Sequence, residues 1–108
     1  MSGLTPLFVA LAEVELHLPG ARSLKDKRHE LRSLIDGLRH RFTLLVVERG
    51  HQDLHQRSAI ALVALATDAE AARGTLERAL NHIHASLDGM VLAERVTVTQ
   101  MAGEHASA

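Results

Sequence analysis

Between Pro6 and Leu18 every even-numbered residue after Pro6 is apolar: Phe8, Ala10, Ala12, Val14, Leu16 and Leu18. The odd positions change character midway, from Leu7, Val9 and Leu11 to Glu13, Glu15 and His17. A period of two with one wholly apolar face predicts a strand, and Pro19-Gly20 turns the chain after it. The next apolar set, Leu24, Leu31, Leu34, Ile35 and Leu38, has helical spacing. Ser23 and Asp26 precede most of it as a capping-box pair, with Asp in place of the usual Glu. Gly37 weakens this helix, and the run Arg39-His40-Arg41-Phe42 ends it.

The segment FTLLVVERG predicts a second strand, and Gly50 opens a polar connection, HQDLHQR. SAIALVALAT, almost uniformly apolar, is the third strand. Thr67 or Asp68 can cap a second helix, whose buried stripe is Ala72, Leu76, Ala79, Leu80, Ile83 and Leu87. Asp88-Gly89 punctuates, and MVLAERVTVTQM alternates as a fourth strand. Residues 102–108 are small and polar and are expected to fray, leaving one domain over residues 1–101.

The order strand, helix, strand, strand, helix, strand, with right-handed crossovers, gives an α+β fold. It is a ferredoxin-like split βαβ sandwich: a four-stranded antiparallel sheet with two helices on one face. That topology centres the first and third strands, which are also the two most apolar. With the even face of the first strand against the helices, Leu7, Val9 and Leu11 fall on the open face of the sheet. Alternation in the third strand runs Ala61, Val63, Leu65 and adds the two large side chains Val63 and Leu65. An apolar open face predicts burial against another subunit, so these five residues are interface candidates in a homo-oligomer.

Charge changes the picture along the first helix. The chain has a net charge of −1, yet residues 22–41 hold seven basic and three acidic side chains, a net of +4, and the remainder carries −5. At 100° per residue Lys25, Arg28, Arg32 and Arg39 form a stripe beside the apolar face, with Lys27 on the other flank. The first-turn amides, with Arg22 and Lys25, could hold a phosphate, although the Asp26 carboxylate competes for the same donors. Two readings follow: a surface for nucleic acid or another polyanion, or a solvated flank whose aliphatic stems cover the edge of the core. Phe8 and Phe42 are the only aromatic residues besides histidine, so the sheet offers no base-stacking platform of the RNA-recognition kind. RNA, if bound, is held through its phosphates with little reading of sequence.

Other chemistry finds less footing. His51, Asp53 and His55 are of metal-ligating type, but in a loop their spacing fixes no geometry, and no fourth ligand is evident. No metal or cofactor is expected. His82 and His84 are two apart on a helix and read as surface histidines. Glu13, Glu15 and His17 share a strand face and could support acid-base work. No P-loop, G-x-S-x-G or H-E-x-x-H pattern occurs, and there is no cysteine; the expectation is a protein that is not an enzyme. The absence of cysteine accords with a cytoplasmic setting. The apolar run Leu7–Ala12 is broken by Glu13 and Glu15 and lacks a basic flank, so it reads as a strand rather than a signal peptide, and no segment is long enough to span a membrane.

The stretch VELHLPGARSLKDKR, continuing through Arg32, Ser33 and Leu34, then Glu48 and QDLHQRSAIALVALATD, resembles the YlxP-like family of small bacterial proteins. The resemblance runs from about Leu7 to Val98, and SLKDKR is its most specific part. It implies a ferredoxin-like fold, with no catalytic site to carry over. Genes of that family often lie among those for transcription, translation initiation and ribosome maturation factors, which implies a role with rRNA or ribosomal particles. Lys25, Lys27 and Arg28 match the family motif and are the best candidates for a shared function. The alternative is an oligomeric protein-interaction or small-ligand regulatory module built on the open face of the sheet.

Overall fold

A computed structural model describes residues 3–87 and 90–103 of the chain. Strand β1 (Leu7–His17) leads to helix α1 (Leu24–Arg41) and strands β2 (Leu45–Gly50) and β3 (Arg57–Ala66). Helix α2 (Ala69–Ser86) and strand β4 (Val91–Ala102) complete the order expected from the sequence. The strands lie as β2-β3-β1-β4, every neighbouring pair antiparallel. β1 and β3 therefore occupy the centre, as their apolar sequences require. Ala10, Ala12, Val14 and Leu16 of β1 are buried, and Ile60, Leu62 and Ala64 of β3 face the same way. Fully burying each of the larger side chains contributes about 1.5–3 kcal/mol.

Both helices start where side-chain oxygens take up their unpaired amides. In α1 the Asp26 amide donates to Ser23 Oγ at 3.1 Å, while Asp26 Oδ2 reaches back to the Arg22 amide at 3.0 Å. In α2 the cap is Asp68, whose Oδ2 accepts from the Ala71 amide at 2.9 Å. The α2 stripe Ala72, Leu76, Ala79, Leu80 and Ile83 is buried as expected, and Leu87, the C-cap, packs half-buried at its end. Gly37 does not interrupt α1. The second strand starts at Leu45 rather than Phe42, because the Phe42 amide still closes the last turn of α1 on Leu38 O. Asp88-Gly89 and residues 104–108 lie outside the described residues, while Ala102 belongs to β4.

One expected core residue is displaced. Leu24 is 39% exposed, and the buried row of α1 is Lys27, Leu31, Leu34 and Leu38. Here the first turn faces the backbone of the β2–β3 connection. Lys27 Nζ donates to the carbonyls of His51, Leu54 and Arg57 at 2.6, 2.8 and 3.1 Å. Glu48 Oε1 lies 3.8 Å away. Three carbonyls suit the three protons of an ammonium and would leave a leucine with unsatisfied neighbours.

Candidate polyanion-binding surface

The basic residues of α1 that the sequence groups together are separated by the fold into three environments. Lys27, only 2% exposed, has its protons engaged inside the molecule and is not available to an anion. This corrects its place among the binding candidates: the charge is needed to hold a loop. Arg22 and Lys25 are exposed but line a shallow hollow with Asp26 and Glu30. Of the first-turn amides that of Asp26 is taken up by Ser23 Oγ, and the Asp26 carboxylate turns to the Arg22 amide just before the helix, which puts a negative charge beside Arg22 and Lys25 at this end of α1.

Arg28, Arg32 and Arg39 form the third group. They lie along one groove of about 490 Å3 between α1 and β2, with Leu31, Ile35 and Val46 in its apolar lining. Arg39 Nη2 donates to Val46 O at 2.8 Å, which fixes its head at the free edge of the sheet. Arg28 and Arg32 are exposed, and among the described residues neither makes an ion pair or a side-chain hydrogen bond. Asp36 and Glu48 share the groove, but Glu48 leans to Lys27. From Arg28 to Arg39 the axial rise is about 16 Å at 1.5 Å per residue. A nucleic-acid backbone can lay several phosphates along such a row.

The open face of the sheet treats its charges differently. Arg49 and Arg95 both pair with Glu13, the latter at 3.4 Å. Glu15 accepts from Arg57 Nη2 at 3.4 Å and from His51 Nε2 at 3.2 Å. A β-bulge between Glu48 and Gly50 accompanies the Arg49 contact. His51 has a φ of 59°, a left-handed conformation uncommon for a side-chain-bearing residue. Its carbonyl accepts both Lys27 Nζ and the Leu54 amide, so the buried ammonium secures the turn that presents the imidazole to Glu15. A hollow of about 450 Å3 opens over these groups, its charges largely compensated from within. Among the described residues His51, Asp53 and His55 do not converge: His51 turns to the sheet, while the other two line a separate surface hollow.

The remaining sequence candidates are placed as follows. Val9 lies opposite Leu65 and Leu11 opposite Val63, with Leu7 at the end of the same face. The sequence reading missed Leu45, Val47 and Met101 on this face, exposed by 71, 58 and 62%. Alternation in β2 was a signal for the first two. His82 is not simply a surface residue, since its ring packs edge-on against Phe42 with centroids 6.1 Å apart. His84 donates to Glu94 at 2.8 Å. Phe8 and Phe42 pack against the core, which leaves no aromatic platform on the sheet.

A family model described as a protein of unknown function (DUF503) matches residues 9–96, most of the chain. The chain belongs to that family. The matched span contains the SLKDKR segment and so both the Lys27 anchor and the start of the arginine row. A DUF503 chain of 108 residues is similar here to a Bacillus subtilis (strain 168) protein described as "Uncharacterized protein YlxP", 29% identical over 92 residues. That alignment covers 85% of this chain and 95% of the relative. Among solved structures, PA3566 from Pseudomonas aeruginosa has a TM-score of 0.48 and 19% identity, covering 93% of this chain and 97% of its own. A C-terminal segment of the alpha subunit of aIF2 from Pyrococcus abyssi scores 0.49 at 16% identity, covering 95% of this chain and 55% of its own. The de novo designed protein Foldit4 scores 0.47 at 13% identity, covering 91% and 99%. No helix among the described residues is long and apolar enough to cross a membrane.

Proposed function

We propose that this protein is a non-enzymatic cytoplasmic module that binds the phosphate backbone of RNA, in the setting of rRNA or ribosomal particles, through the Arg28–Arg32–Arg39 side of α1. The observation that carries the reading is the contrast in compensation. The three arginines at the charged end of the sheet pair with a carboxylate, whereas Arg28 and Arg32, although Asp36 and Glu48 share their groove, have none within ion-pair distance. Uncompensated cations along a groove are the electrostatic footprint of polyanion binding. The packing of both half-buried phenylalanines against the core supports recognition by charge and shape rather than base stacking. The ribosomal setting rests on the gene neighbourhood of the YlxP-like family.

The test is co-sedimentation with ribosomal particles and direct titration of rRNA at low salt, comparing wild type with Arg28→Glu/Arg32→Glu. The double variant is expected to lose affinity about 100-fold, and binding should weaken steeply with added salt. Equal binding by wild type and variant would sink the proposal.

A further inference from the structure

The open face of the sheet divides at one row. Val47, Ala61, Glu13 and Arg95 lie side by side across the four strands. On one side of that row the charges are paired, as described above. On the other the next row reads Leu45, Val63, Leu11 and Thr97, followed by Leu65, Val9 and Thr99. At that end of the sheet Leu7 lies opposite Ala102, and the register shift between Leu7 and Phe8 leaves Met101 as the extra residue of a bulge in β4. Leu65 is 63% exposed, comparable with Leu45, Val47 and Met101. Helices cover the opposite face, so nothing in the chain packs on this one among the described residues.

We infer that two copies of the chain pair through this apolar half, sheet on sheet, about a two-fold axis. Size favours a second copy. The exposed parts of these side chains amount to roughly 600 Å2 per copy, at the upper end of the largest patch a monomer usually shows and approaching the ~800 Å2 per partner of a stable interface. Charge agrees. The patch itself carries no charged side chain, and Glu13 already holds Arg49 and Arg95 at its border, so a second copy brings no unpaired charge against it. This is the arrangement of an interface core with a polar rim. Isologous contact is the commonest route to a closed pair, and two sheets stacked about 10 Å apart would interdigitate these side chains as a β-sandwich does. The pairing stands on the sheet alone. Taken with the proposed function, it would turn the two α1 grooves outward on opposite sides, making a bivalent binder.

Sedimentation equilibrium of the full chain across micromolar concentrations tests this. Wild type should have twice the chain mass. Leu65→Glu, on a side chain already mostly in water, should raise the dissociation constant at least about 100-fold, because the charge enters the interface twice. Leu45→Gln is a milder second variant, and unfolding curves confirm that each retains the fold. The chain has no cysteine, so Leu65→Cys with a short bismaleimide should link copy to copy. Arg28→Glu should leave the mass unchanged and bind RNA poorly, which separates this inference from the RNA reading. A monomeric wild type overturns the dimer, whatever other protein it captures. So does a dimer that folded Leu65→Glu and Leu45→Gln both leave intact, which would point instead to pairing at the β2 edge.

Discussion

The molecule carries two sets of arginines whose surroundings differ more than their sequences. At the charged end of the sheet, Arg49, Arg57 and Arg95 are drawn onto Glu13 and Glu15. Along α1, Arg28 and Arg32 stand over a groove with an apolar floor and no carboxylate within ion-pair distance. The sheet set closes on itself and contributes little to stability, since exposed pairs are worth about 0–1 kcal/mol. The helix set keeps its charge available. Local basic density is therefore a poor guide by itself; what matters is which cations the fold leaves without a counter-charge.

Lys27 sharpens the comparison most, because it belongs to α1 by sequence and to the interior by structure. Lys27→Met keeps the aliphatic stem but strips three carbonyls of their donor. It should lower stability by about 3 kcal/mol, or roughly 15 °C in Tm for a domain of this size. Thermal and urea unfolding would measure it. If the folded variant still binds RNA at low temperature as wild type does, Lys27 is an anchor alone. A fully stable variant with lost binding would instead return Lys27 to the surface set.

Next in size is the helix set itself. Arg28→Glu/Arg32→Glu should reduce rRNA affinity about 100-fold, near 2.7 kcal/mol, while stability moves by under about 0.5 kcal/mol, as expected for exposed side chains. A salt titration is the companion measurement. If about three phosphates are contacted, the slope of log K against log salt should lie near −2 for single-stranded RNA and flatten in the variant. A slope near zero in the wild type would mean that the groove does not hold phosphates.

How much of this was legible beforehand depends on where the determining partner lies. The fold was readable because its signals are local: period two in Phe8–Leu18, helical spacing from Leu31 to Leu38, and caps at Ser23 and Asp68. The apolar open face was partly readable for the same reason, through Val9, Leu11, Val63 and Leu65. Met101 was harder, because its place in a bulge follows from pairing with β1 rather than from its own segment. Lys27 was not readable at all. Its partners are backbone carbonyls 24, 27 and 30 residues away, and a carbonyl leaves no mark on a sequence. The division between compensated and bare arginines was hidden likewise, because Glu13 meets Arg49 and Arg95 only across strands.

The smallest effect expected is also the cleanest trial of that division. Glu13→Gln keeps the size of the side chain and removes the charge shared by Arg49 and Arg95. Both guanidiniums are well exposed, at 58 and 79%, so the stability change should stay under about 1 kcal/mol. Two cations then lack a full counter-charge. If compensation is what silences the sheet, the variant should bind RNA about threefold more tightly at low salt, with a salt slope steeper by up to about 1. The gain should persist when Arg28 and Arg32 are replaced, since it arises on the opposite side of the molecule. An unchanged affinity, in a variant whose fold and mass match the wild type, would show that position and not compensation separates the two sets. The groove between α1 and β2 would then owe its role to its place in the fold, where Arg28, Arg32 and Arg39 line up over Leu31, Ile35 and Val46.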